Sequence, residues 1–124
     1  MILVDTNIII DYWKNPSDRI TEIFKKEDIA ICGIIQAELL HGARSEKNIA
    51  DILDAVSCFE NLPYSDNWEK LGKMLYKLRT AGLTVPLADV IITQVAIENE
   101  ISLFSKDKHF ELIKQVFPEL KLYN

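Results

Sequence analysis

Apolar positions along this chain gather into short runs and helical stripes, starting with Ile2-Leu3-Val4, a compact apolar run ended by the carboxylate of Asp5. A run of this kind predicts a buried strand. Thr6 to Trp13 carries enough apolar residues for a helix, which Pro16 closes off. Ser17 and Asp18 begin a second helical segment through about Lys26. Ile29 to Cys32, between Asp28 and Gly33, repeats the strand pattern. Helices follow over about Ile34 to Ala43 and about Lys47 to Val56, then a short strand near Cys58 to Leu62. Asp66 to Thr80 reads as a long amphipathic helix whose stripe of Trp68, Leu71, Leu75 and Leu78 is expected in the core. After the Gly82 to Pro86 break come a helix over Leu87 to Asn99, a strand over Ser102 to Ser105 and a helix over Lys108 to Val116. A terminal strand near Leu120 to Tyr123 completes the order. Alternation of strands and helices implies a mainly parallel sheet covered by helices on both faces, an α/β fold.

With 124 residues, 48% of them apolar, the chain has the size of one domain with a full core, and 1–124 is read as a single unit. No apolar run approaches the roughly 20 residues of a spanning helix, and the N-terminal residues carry no basic stretch of a leader, so a cytoplasmic protein is expected. Cys32 and Cys58 lie in apolar surroundings without metal-binding spacing and read as buried free thiols. The net charge of −5 argues against holding nucleic acid by a basic face. That objection weakens where acids gather around divalent cations, because the bound ion reverses the local sign.

Four acids are candidates for such a gathering. Asp5 stands between a strand and a helix, where it can cap the helix or bind a ligand. Glu38 falls inside the apolar stripe of its helix, a costly place for an ionised group unless it pairs, for which Arg44 is available, or binds metal. Asp89 opens a helix at the edge of a stripe formed by Ala88, Ile92, Val95, Ala96 and Asn99. It can simply complement the helix dipole. Asp107 follows a strand and can cap the next helix. Acids beyond strand ends, in a doubly wound sheet, stand where such sheets bind ligands. Converging carboxylates repel one another, and their all-oxygen donor set suits Mg²⁺ or Mn²⁺ better than zinc. His41 and His109 lie near two of these acids in sequence and read as surface or packing residues.

The segments Asp5-Thr6-Asn7, Glu38-Leu39-Leu40-His41-Gly42, Asp89-Val90-Ile91-Ile92 and Leu103-Phe104-Ser105-Lys106-Asp107-Lys108-His109-Phe110 resemble the PIN-domain ribonucleases. Within that family the likeness is to VapC-like toxins of toxin–antitoxin pairs, and it extends over nearly the whole chain. It implies a PIN-like α/β/α sandwich with Asp5, Glu38, Asp89 and Asp107 as metal-binding, catalytic acids. Thr6, Asn7 and Ser105 would hold their oxygens by hydrogen bonds. It also implies a small VapB-like antitoxin whose arginine reaches the acids, and a homodimer. Ile92-Thr93 departs from the Ile-Ala pair often found after the third acid, and the further acid of some members is missing.

The expected activity is hydrolysis of RNA phosphodiester bonds with Mg²⁺ or Mn²⁺ held mainly by Asp5 and Asp89. Glu38 or Asp107 would orient the attacking water or bind a second ion. Arg44 and Lys106 are the candidate phosphate contacts. Competing readings are a PIN nuclease in RNA maintenance, a phosphoacceptor receiver module and a binding module whose acids are caps. The receiver reading needs an acceptor Asp ending a mid-chain strand, where Ile49 to Val56 is patterned as a helix.

Overall fold

Strand β1 (Ile2–Val4) lies inside the sheet, because all three of its residues are apolar and buried on both faces. It pairs in parallel with β2 (Ile29–Cys32), in register Leu3 with Ala30. On its other side it pairs with β4 (Ser102–Phe104), in register Leu3 with Leu103. Strand β3 (Glu60–Leu62) adds to β2, and the order is β3-β2-β1-β4. The computed structural model describes all 124 residues.

Seven helices flank the sheet: α1 (Thr6–Lys14), α2 (Asp18–Lys26), α3 (Gly33–His41), α4 (Glu46–Val56), α5 (Trp68–Thr80), α6 (Leu87–Glu98) and α7 (His109–Val116). Short polar side chains start several of them: Asp5, Ser17, Ser45 and Asn67 each accept a backbone N–H of the first turn. Gly82, at φ 83°, ends α5 in the left-handed conformation that glycine adopts without strain. The chain winds outward from β1 through β2 to β3, then returns across the sheet to place β4 on β1's other side. The order of strands therefore reverses between β1 and β4, and a crevice opens there beyond their carboxyl ends.

Several expectations are corrected. The terminal strand is reduced to one parallel bridge between Leu103 and Leu122. Leu120 is instead turned fully into the core, and its carbonyl accepts from Lys114 Nζ. Helix α5 starts at Trp68 rather than Asp66, which sits at φ 59° while Asn67 caps the helix. Trp68 is 60% exposed, and Met74 takes its place in the buried stripe with Leu71 and Leu78. Asn99 lies outside the buried face of α6, whose interior positions include Val90, Thr93 and Gln94. Cys32 is buried, and desolvation pushes its thiol up to about 11, whereas Cys58 is exposed.

Candidate active site

Asp5 follows β1 directly, is 6% exposed and uses both carboxylate oxygens. Oδ1 accepts the Thr6 N–H at 2.8 Å; Oδ2 accepts the Ser105 hydroxyl at 2.6 Å and Asn7 Nδ2 at 3.5 Å. The cap does not exclude a ligand role for Asp5, because a carboxylate offers about four lone-pair directions and the Thr6 cap occupies one. Ser105, beyond β4, also accepts from the Asp107 N–H at 3.0 Å and from Asn7 Nδ2 at 3.4 Å. Asn7 Oδ1 in turn accepts the Lys106 N–H at 3.2 Å. Three short polar side chains thereby tie the ends of β1 and β4 together around the acids.

Asp89 is half-buried in the first turn of α6, with Oδ2 3.2 Å from His109 Nδ1. Asp107 Oδ1 accepts the His109 N–H at 2.9 Å and lies 3.3 Å from the same ring nitrogen. One donor atom from each of Asp89, Asp107 and His109 falls within 4.8 Å of the other two. His109, read as a surface or packing residue, is 46% exposed, and its ring also stands between two acids. The available signal was its place two residues after Asp107, at the start of the helix that aims it inward.

Glu38 stands on α3, across the crevice, where Thr6 Oγ1 donates to Oε1 at 3.1 Å. It is exposed rather than buried: the interior face of α3 is formed by Ile35 and Leu39, and Glu38 projects beside it. Arg44 makes no ion pair with it. Lys106 does not lie free for a phosphate either, because its ammonium pairs with Asp11. Arg44 is exposed and lines, with Glu38, Lys14, Ile10, Trp13 and Leu39, a groove of about 470 Å³.

Burial raises the Asp5 carboxyl above its ordinary range, against the opposing bonds from Ser105 and Thr6, and the Asp107 charge raises it further. Burial also raises Asp89, opposed by His109 and reinforced by Asp107 and Asp5. Glu38 is raised by desolvation and by the charges of Asp5 and Asp89, against the Thr6 bond. Mutual elevation of this kind marks a site short of positive charge, and the donor set of carboxylates with one imidazole suits a divalent cation.

A prediction follows for Glu38→Gln. The amide keeps the acceptor for Thr6 and removes a charge repelled by Asp5 and Asp89, so the metal-free protein should become more stable. Solvent screening at this exposed position limits the gain to about 0.5 kcal/mol. Because folding raises this carboxyl, the wild type regains the difference as pH falls, and the advantage of the variant should vanish below the ordinary value of 4.5. Urea melts in EDTA at neutral and acidic pH test it. Destabilisation at neutral pH would mean that the Glu38 charge supports the fold.

Acids contributed by α3, α6 and the ends of β1 and β4 surround the crevice of this parallel sheet, the arrangement that the PIN resemblance implies. A PIN domain family model matches residues 2–115, and the chain belongs to that family. It is similar to ribonuclease VapC1 of Methanocaldococcus jannaschii, with 32% identity over 99% of this chain and 87% of the relative. It also resembles VapBC2 of Rickettsia felis, solved bound to a promoter DNA fragment: TM-score 0.81, 26% identity, covering 100% of this chain and 98% of that one. DNA-bound VapBC of Salmonella typhimurium superposes with TM-score 0.83 at 26% identity, covering 98% and 96%. No helix is long and apolar enough to cross a membrane.

Proposed function

We propose that this chain is a divalent-metal-dependent endoribonuclease, the toxin of a VapBC-type pair. The carrying observation is the assembly of Asp5, Glu38, Asp89 and Asp107 around one crevice, with three of the four carboxyls raised by burial and mutual charge. Asp89 and Asp107 bring ligand oxygens within 4.8 Å of each other, and with Asp5 and Glu38 they would hold Mg²⁺ or Mn²⁺. Such an ion supplies Lewis-acid polarisation of the phosphodiester and acidifies a water for attack.

The chain's own residues do the rest. Ser105, Asn7 and Thr6 fix the orientation of Asp5 and Glu38, so the acceptor atoms need little rearrangement. Glu38, exposed to solvent at the crevice, or Asp107 would orient the attacking water or bind a second ion. Arg44 and Lys14 at the neighbouring groove are cations available to the RNA backbone, while Lys106 must first leave Asp11.

The same groove is apolar at Ile10, Trp13 and Leu39 and carries Glu38 beside the cations Lys14 and Arg44, so it suits a partner segment with apolar side chains and charges of both signs. A small VapB-like antitoxin is the partner we assign to it, supported by the relatives solved as VapBC complexes. A homodimer and a cytoplasmic location belong to the same reading. Incubation of the purified chain with structured RNAs tests the activity: fragments are expected with Mg²⁺ or Mn²⁺ and none with EDTA. Undiminished cleavage in EDTA would overturn the reading.

A further inference from the structure

The imidazole of His109 stands between two of the acids of this crevice. Its role at the crevice rests on the reading of the acids as a divalent-cation site. Nδ1 of His109 lies 3.2 Å from Asp89 Oδ2 and 3.3 Å from Asp107 Oδ1. Neighbouring donors around a small divalent ion with bonds of about 2.1 Å stand roughly 3 Å apart, so both spacings are close to those of a shared coordination shell. The residue is also fixed in place from its own backbone, since the His109 N–H donates to Asp107 Oδ1 at 2.9 Å. The side chain remains 46% exposed, so solvent can reach the ring and exchange there.

We propose that His109 Nδ1 is a third donor beside Asp89 and Asp107, making the centre a mixed nitrogen–oxygen site that favours Mn²⁺ and Co²⁺ over Mg²⁺. Magnesium takes oxygen ligands and keeps much of its water, so an imidazole contributes little to holding it. First-row transition ions accept imidazole readily, and their affinity for such donor sets rises along the series. The alternative role for the ring is a counter-cation that sits between two carboxylates and must be displaced by any ion. The two roles predict opposite signs when the ring is removed.

Calorimetric titrations of Mn²⁺, Co²⁺ and Mg²⁺ into the wild type, His109→Gln and His109→Ala decide between them, with visible absorption of the Co²⁺ forms as a direct report on nitrogen ligation. Both variants should weaken Mn²⁺ and Co²⁺ binding about 10- to 100-fold and Mg²⁺ binding by less than about 3-fold. The Co²⁺ bands of the wild type should shift on loss of the ring. Equal weakening of all three ions, or tighter binding of all three, overturns the proposal while leaving the nuclease reading intact. Absence of any divalent-ion binding by the wild type would remove both. RNA cleavage by the wild type in Mg²⁺ alone supports the nuclease reading independently of the role of His109.

Discussion

Asp89→Asn protein should cleave RNA on the order of 1000-fold more slowly than the wild type in Mg²⁺ or Mn²⁺, a loss equivalent to about 4 kcal/mol of barrier. The substitution removes one negative charge from the acids placed to hold the ion and leaves the volume unchanged. Asp89 is the best choice because its carboxylate contacts only His109, and its helix is built on Val90, Ile92, Val95 and Ala96, all fully or nearly fully buried. The fold should therefore survive. Loss of a carboxylate raised by burial and by the charges of Asp107 and Asp5 should even stabilise the metal-free protein slightly. Asp5→Asn should abolish cleavage as well, but it is a less clean test. Its amide would face the Ser105 hydroxyl, which already accepts from Asp107 and Asn7. Expression of the wild type alone should arrest growth, and expression of Asp89→Asn should not. Cleavage within about tenfold of wild type by folded Asp89→Asn would remove this residue from the ion-binding set.

Phe110→Ala should destabilise the fold by about 3 to 5 kcal/mol, the usual cost of truncating a buried phenylalanine. Phe110 is 1% exposed and lies in the first turn of α7, which packs on α5 and α6. Against the roughly 5 to 15 kcal/mol of a typical domain this is a large share. The damage has a direction, since Phe110 N–H donates to the Asp107 carbonyl and is the neighbour of His109. Loosening α7 thus loosens Asp107 and His109 together. Divalent ions should restore part of the lost stability, because a ligand that binds only the native state stabilises it by mass action. Phe110→Leu, which keeps most of the volume, should lose much less. Urea melts with EDTA and with excess Mn²⁺ give both quantities. A change below about 1 kcal/mol for Phe110→Ala would show that α7 is not anchored by this side chain.

The elements and their order were legible in the sequence because their causes are local. Ile2-Leu3-Val4 is apolar on both faces of a strand and so must be interior; Ser17 marks a helix start through its side-chain cap, and the Gly82 to Pro86 break marks a helix end through its backbone. The placing of Asp5 and Asp107 just beyond strands was equally local, and with it their place at a ligand crevice. What the sequence left open was decided by neighbours far along the chain. Periodicity names the face of a helix but not how far another element covers it, which is why Glu38 and Trp68 stand in solvent beside buried stripes. Lys106 reaches Asp11 across 95 positions, a pairing that only the sheet order brings within range. His109 is the sharpest case, because a histidine's role depends on which charges surround its ring. Only the packing of α6 against α7 brings Asp89, 20 residues away, to within hydrogen-bond distance of that ring, and only tertiary structure fixes such a distance.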